Sequence, residues 1–378
     1  MGLFSFKKGK GTSIAVIDIN SASVGGAYVR YEEGTLPVIY YTARVDVEPR
    51  EGETILESML RSLSFLEQLM VLEGAPALRR ETGDGSVEKV LVSVSAPWQE
   101  TEVATTHLEE KKPFTFTHAH LDAVGSAPLK KDRIRSGRTV IATVLNGYET
   151  PNPFGKRVTR ADLVVLSSSL EKEAARQIEA SVRKAFHTGS IELAAFSPAS
   201  YTVFRDLYPH QKDFLLLDVS GSGTDVALVK RGMLVEARTV AYGTHDLERA
   251  ARKAGQRAHL GADQMLDPEA NKTFAEEAEA IERVWLTELK EILAAFSGTR
   301  ALPRTLFLLA HPSAREYLKR SLEGSELKSL WLSDEPLSVI AVSPANLATK
   351  VTTRGLGEGD LYLAVLALYA AKKGNEAS

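Results

Sequence analysis

Ala15-Val16-Ile17-Asp18-Ile19-Asn20-Ser21-Ala22-Ser23-Val24 is a buried-strand pattern that ends in an aspartate, turns through small polar residues and resumes as a second apolar run. The second half of the chain restates it as Leu216-Leu217-Asp218-Val219-Ser220-Gly221-Ser222-Gly223-Thr224-Asp225-Val226. The flanks repeat as well. Around Asp18 the pattern predicts a three-stranded meander over Ser13 to Val47, with a turn at Glu33-Gly34. Around Asp218 it predicts strands over Phe214–Asp218, Val226–Lys230 and Leu234–Val240, with a turn at Arg231-Gly232. Such a duplication implies two homologous lobes facing each other. In each hairpin, backbone N–H groups unshielded by side chains can point at phosphate oxygens, while the aspartate can hold a magnesium ion through its waters. Asp18, Asn20, Ser21 and Ser23 on one side, with Asp218, Ser220, Gly221, Ser222, Gly223 and Thr224 on the other, are therefore the candidate clamp. Asp18 and Asp218 are its candidate metal-binding residues.

Between the hairpins, Ile55, Met59, Leu60, Leu63, Leu66 and Met70 recur at helical spacing and predict a helix over Thr54–Leu72. Pro76–Ser86 reads as a linker. From Glu88 the texture shifts to short strands, Val90–Val94 and Thr101–Leu108, a short helix around His118–Val124, a basic loop Lys130–Arg135, and a strand Thr139–Leu145 leading into a turn-rich stretch that ends at Gly155. This reads as an inserted α+β subdomain. Leu163–Leu166 then resumes a buried strand, followed by a helix over Glu171–Phe186. Later come a charged helix, Thr273–Phe296, with Ile281, Val284, Trp285, Leu289, Ile292 and Leu293 on its core side, a strand at Thr305–Leu309, a helix Ser313–Leu322, a strand Ser338–Val342 and an apolar helix Leu361–Ala371. The expected division is a first lobe core over 1–85 and 160–212, an inserted subdomain over 86–159, a second lobe core over 213–245 and 303–378, and a helical subdomain over 246–302.

The 378 residues carry 46 Lys+Arg against 49 Asp+Glu, a net charge of −3, with 44% hydrophobic residues. That balance argues against a dedicated nucleic-acid binder, and the length allows two or three lobes. The cysteine count of 0 excludes disulfides, thiolate metal sites and a Cys nucleophile, and points to the cytoplasm. No apolar run approaches the ~20 residues of a spanning helix.

The two hairpins resemble the first and second phosphate motifs of the actin, sugar-kinase and heat-shock-chaperone ATPase superfamily. Within it the chain is most similar to the bacterial cell-division actin homologues of the FtsA family, and next to the type IV pilus assembly family PilM. The inserted subdomain falls where the division branch carries its extra SHS2-type subdomain. Asn146-Gly147-Tyr148-Glu149-Thr150-Pro151-Asn152-Pro153-Phe154-Gly155 resembles that branch's Asn-Pro-hydrophobic-Gly segment, and Phe196-Ser197-Pro198-Ala199-Ser200-Tyr201 the segment before its second phosphate strand. The implied fold is α/β: an actin-like two-lobe fold of duplicated ribonuclease-H-like domains. The implied cofactors are ATP and Mg2+, with Gly243, Ala310 and His311 added to the nucleotide site and Asp218 as general base on water attacking the γ-phosphate.

The motifs also depart from the family. Ser220 and Ser222 replace two glycines of the second turn and Gly223 takes the Thr place. Asn20 stands where Gly is usual, Asn being the residue that best tolerates a left-handed backbone. Ala310-His311-Pro312 stands where the family puts a Gly-Gly pair under the nucleotide, so the imidazole is expected to fill the adenine pocket. Gly255–Thr273, which should supply part of the ribose and base contacts, is short.

Resemblance implies a nucleotide-binding, filament-forming scaffold that self-associates head to tail and links a tubulin-like division protein to the inner face of the membrane, at most a slow ATPase. The alternative is a PilM-like cytoplasmic adaptor that binds a short peptide from a pilus membrane protein through the inserted subdomain, with little or no nucleotide binding. A sugar or acetate kinase is a third option, disfavoured because the chain shows no distinct substrate-binding insertion or catalytic-base segment. The chain ends directly after the last predicted helix, without the division branch's amphipathic anchor. Leu3, Phe4 and Phe6 before Lys7, Lys8 and Lys10 offer a substitute membrane contact or, more plainly, a flexible start. His118 and His120 diverge on a short helix and read as surface residues. Lys130, Lys131, Arg133, Arg135 and Arg138 read as a solvated basic loop.

Overall fold

The computed structural model describes residues 11–124, 129–253, 272–298, 301–324, 326–331, 337–354 and 359–377. The Leu3–Lys10 cluster and most of Gly255–Thr273 lie outside the described residues. In chain order the elements are β1 (Thr12–Ile19), β2 (Ser23–Tyr31), β3 (Val38–Asp46), α1 (Ile55–Leu69), α2 (Ala75–Thr82), β4 (Lys89–Val94), β5 (Gln99–Thr115), α3 (His118–Val124), β6 (Arg133–Leu145), β7 (Tyr148–Glu149), β8 (Arg157–Glu171), α4 (Lys172–Phe186), β9 (Ile191–Ala195) and α5 (Phe196–Leu207). They continue with β10 (Phe214–Val219), β11 (Thr224–Lys230), β12 (Met233–Val240), α6 (Thr244–Lys253), α7 (Lys272–Ser297), β13 (Thr305–Ala310), α8 (Pro312–Gly324), β14 (Ser338–Ala341), β15 (Thr352–Thr353) and α9 (Leu361–Ala377).

The duplication is visible in the sheets. The first runs β15-β3-β2-β1-β4-β9 and the second β12-β11-β10-β13-β14, so the same five-strand order occurs twice. In each, the aspartate-bearing strand is antiparallel to its hairpin partner and parallel to the strand on its other side. Alternation along those strands divides the cores. Ala15, Ile17 and Ile19 face α1 and α4, whereas Ile14 and Val16 face a central layer built on α5 and α9. Leu215, Leu217 and Val219 pack against α7 and α8, while Phe214 and Leu216 turn to the same central layer. The two sheets thus share one helical layer, and β1 and β10, covered on both faces, read as nearly continuous apolar runs.

The third sheet, β5-β8-β6-β7, is the insertion. Its limits differ from the expected 86–159. β4 pairs in parallel with β1 and belongs to the core sheet, while β8, which carries Leu163–Leu166, pairs with β5 and β6. A short buried strand reads alike in either sheet, so the pattern alone could not allocate them. Pro76–Ser86 is not simply a linker: α2 covers most of it. Met70–Gly74 forms a π-helical turn, Ala75 N donates to Met70 O, and Pro76 sits in the first turn of α2, where a missing N–H costs little. The basic run is partly strand. Arg133 opens β6 with its side chain 7% exposed, bonded to the Trp98 and Ser169 carbonyls, and Arg138 donates to the Leu121 carbonyl. On α7, Trp285, Leu289 and Leu293 are buried, but Val284 is exposed.

Candidate functional site

Asp18 and Asp218 lie near the inner ends of β1 and β10, and the two turns that follow meet. Ser222 N donates to Ser21 Oγ at 2.8 Å. A Cβ on Gly221 would stand 2.6 Å from Ala22 N and 2.8 Å from the Ser21 carbonyl carbon. A Cβ on Gly243 would stand 2.3 Å from Ser220 O. These glycines permit close approach of backbone to backbone rather than positive φ, which neither adopts.

Each turn also bonds within itself. Ala22 N donates to Asn20 Oδ1 at 2.7 Å and Asn20 N to Ser23 O at 3.1 Å, an Asx turn. Asn20 therefore needs no left-handed backbone, and among the described residues only Asn146, His187 and Arg231 are non-glycines with positive φ. In the second turn Ser220 N and Ser220 Oγ both donate to Gly223 O at 2.8 Å. Thr224 Oγ1 donates to Tyr242 O at 2.8 Å and accepts from Trp285 Nε1 at 3.1 Å. Thr244 N and His245 N donate to the carbonyls of Ser220 and Gly221, seating α6 against the turn.

The aspartates are engaged too. Asp18 is fully buried. Its Oδ2 accepts from Arg44 Nη2 at 3.0 Å and its Oδ1 from Ser93 Oγ at 3.1 Å. Burial outweighs the guanidinium and raises its pKa to about 6. Arg44 bonds Asp360 through Nε at 2.6 Å and Nη2 at 3.1 Å, and Ser23 Oγ through Nη1 at 2.8 Å. Asp360 is buried, but Arg44 and the amides of α9 hold its carboxyl below the usual range. Asp218 accepts from Tyr362 OH at 3.2 Å, and its Oδ2 is buried with no partner. Burial, with Asp225 opposite it in the hairpin register and Asp18 across the site, pushes Asp218 well above the carboxylate range. Asp225, itself raised to about 6 by burial, accepts from Thr239 Oγ1 at 2.6 Å and from Gln99 Nε2.

Ala310 ends β13 and is buried. His311 opens a helix: its carbonyl accepts from Ala314 N and Arg315 N, its Nδ1 lies 2.5 Å from Ser313 Oγ, and Pro312 follows in the first turn of α8. Ala310-His311-Pro312 is thus a helix start. Burial lowers the pKa of His311 and keeps the ring neutral. The apolar cavity beside Gly243, walled by Leu247, Trp285 and Leu318, has a volume of about 10 Å³, room for one water and not for a base.

These residues do not fit Mg2+-ATP. Asp18 already carries a cation. Asp218 is buried beside Asp225, and burial disfavours its charged form. The turn donors Asn20 N, Ala22 N, Ser220 N and Ser222 N are spent on protein oxygens. The pattern brought together Asp18, Asn20, Ser21, Ser23, Asp218, Ser220, Gly221, Ser222, Gly223 and Thr224, with Gly243 against the second turn. Arg44, Ser93, Asp360 and Tyr362 were not singled out. Their signals were a lone arginine inside an apolar strand, set opposite Gly25, and an aspartate just before an apolar helix. His118 stacks on Phe154 with centroids 3.7 Å apart and His120 on Phe116 at 5.4 Å, and no metal-ligand cluster occurs among the described residues.

Duplicated five-strand sheets around a shared helical layer, with two facing aspartate turns, define the actin-like ATPase fold, and the chain has it. No protein-family model matches the sequence, and no curated protein does. Among solved structures, one titled as a PilM-PilN type IV pilus biogenesis complex aligns over 96% of this chain and 98% of its own, with a TM-score of 0.60 and 15% identity. A Bacteroides thetaiotaomicron protein described as having an actin-like ATPase fold aligns over 97% and 99% with a TM-score of 0.42 and 11% identity. The ethanolamine utilization protein EutJ of Carboxydothermus hydrogenoformans follows, over 94% and 89%, at 0.44 and 10%. No helix among the described residues is long and apolar enough to cross a membrane.

Proposed function

We propose that the chain is a nucleotide-independent adaptor of the PilM kind, which seats an extended segment of a membrane-protein partner against its inserted sheet. The observation that carries this reading is the phosphate site filled by the protein itself: turn bonded to turn, and Arg44 on Asp18. The likeness to one half of a pilus biogenesis complex supports it. A groove of about 390 Å³ runs between the inserted sheet and the core, lined by Gly137, Thr139, Ile141, Pro198, Tyr201 and Arg205 among others. One wall is a sheet edge. β8 pairs with β6 on one side, while on the other β7 covers only Val144 and Leu145, so Ser136–Ile141 face the groove as an open strand edge. Such an edge takes an added strand through main-chain hydrogen bonds, with the groove's side chains setting specificity.

The experiment is calorimetric titration of peptides from the cytoplasmic segments of membrane proteins encoded beside this chain, with and without Mg2+-ATP. Binding that ATP leaves unchanged, and that Arg205→Glu or Thr202→Trp, at another residue lining the groove, abolishes, is expected. The division-scaffold reading shares the fold but requires nucleotide. ATP-dependent sedimentation, or a midpoint shifted by ATP, would restore it and sink the adaptor.

A further inference from the structure

In the fold's aspartate site a divalent cation is the expected bridge, and here the guanidinium of Arg44 lies against Asp18. Arg44 is held by four partners: Asp18 on β1, Ser23 at the start of β2, and both oxygens of Asp360. Asp360 in turn caps α9, accepting from Leu363 N at 3.0 Å. The guanidinium carbon lies 5.3 Å from the centroid of the Tyr362 ring, whose hydroxyl reaches Asp218 on the other sheet. One unbroken line of contacts therefore joins the two aspartates: Asp18, Arg44, Tyr362, Asp218. Room for the guanidinium is provided by Gly25, where a Cβ would stand 2.6 Å from Arg44 Nη2.

We propose that Arg44 is this chain's built-in replacement for the divalent cation, so that removing its side chain turns the same pocket into a divalent-cation site. The pocket left behind would present the carboxylates of Asp18 and Asp360 and the hydroxyls of Ser23 and Ser93, an all-oxygen set suited to hard cations. The Arg44 side chain is 17% exposed, which gives an ion a way in. Without Arg44 the two carboxyls cannot both ionise cheaply, and a cation that displaces the proton from Asp18 relieves their repulsion, whereas in the wild type the guanidinium repels one.

The proposal rests on the nucleotide-independent reading, but its test uses no nucleotide. Thermal unfolding and Mn2+ titration are compared for the wild type, Arg44→Ala, Arg44→Lys and the double variant Asp18→Asn with Arg44→Ala. The wild type is expected to ignore millimolar Mn2+. Arg44→Ala should unfold at a lower temperature, bind Mn2+ roughly tenfold or more tightly than the wild type, and recover toward its midpoint as the ion saturates. The double variant should lose both the binding and the recovery, and Arg44→Lys, which keeps one positive charge, should stay blind to the ion. If Arg44→Ala does not fold alone, refolding in Mn2+ should yield native protein. An Arg44→Ala protein that Mn2+ neither binds nor stabilises overturns the replacement, as does an equal response in the wild type. That failure leaves the adaptor reading standing, since ATP titration of the wild type judges it separately.

Discussion

Gly221→Ala separates two reasons for a glycine in the second turn. In the family's logic the glycine is kept clear for a phosphate, and a methyl group would cost nothing until nucleotide arrived. In this structure the space beyond the Gly221 Cα is occupied by the first turn. The added Cβ would meet Ala22 N at 2.6 Å, Ser21 C at 2.8 Å and His245 Cε1 at 2.7 Å, and the first two are backbone that cannot rotate away. Overpacking of this kind costs about 1–3 kcal/mol. Gly221 does not use a left-handed backbone, so alanine also stiffens the unfolded chain and returns about 0.4–1 kcal/mol. The net expectation is a loss of about 1–2 kcal/mol. For a unit of 150–250 residues that lowers the unfolding midpoint by about 2–8 °C, without nucleotide present. Hydrogen exchange should localise the effect to both turns, with faster exchange at Ser222 N, which bonds Ser21 Oγ. Gly324→Ala, at the end of α8 with open space beside it, is the control and should be neutral or slightly stabilising. A Gly221→Ala protein as stable as Gly324→Ala would refute the turn-to-turn contact, and the argument from it against a nucleotide would fall with it.

Asp360→Ala removes both the cap of α9 and the bidentate partner of a half-buried arginine, and a loss of about 2–4 kcal/mol in denaturant unfolding is expected. Glu67, on α1, accepts from Ser181 Oγ at 2.8 Å while its other oxygen is buried without a partner, and burial raises its pKa to about 7. A carboxyl raised in the folded state adds stability below its unfolded pKa and loses it as pH rises through the folded one. Glu67→Gln should therefore match the wild type near pH 5 and unfold at a higher temperature at pH 8. Asp18 and Asp225, both raised to about 6, act in the same direction, so the wild-type midpoint should rise as pH falls from 8 toward 5. Trp285→Phe keeps the packing on α7 but removes the donor to Thr224 Oγ1, and a loss of about 1 kcal/mol in the same assay is expected.

The lobes and the aspartate turns were legible because both are local. A buried strand, an aspartate and a small polar turn follow one another in the chain, and their recurrence at Asp218 marks the second lobe. The occupant of the site was not legible, because its parts are distant. Arg44 and Asp360 are separated by 316 residues, and no local pattern announces that they meet. Ser222 and Ser21 are likewise joined only by folding. The limits of the insertion were missed for another reason: the apolar run of β4 and the Leu163–Leu166 run within β8 read alike, and only their pairing partners tell core from insert. Asn20, which would tolerate a left-handed backbone, does not use one, because its side chain offers a local bond to Ala22 N that settles the turn in another way.

The closing elements of the first sheet have a consequence for how the chain is made. β15 adds its two residues beside β3, and α9 lies across β1 and β2 in the layer both sheets share. β1 therefore waits for α9, far later in the sequence, before its inner face is covered. Until then Ile14, Val16, Ala27 and Val29 stay open to water or to other nascent chains, while the inserted sheet, whose partners are near neighbours in sequence, can close early. Emergence of α9 is thus the committing step of biogenesis, and charged substitutions at its buried Leu363 and Leu366 should yield aggregation-prone chains.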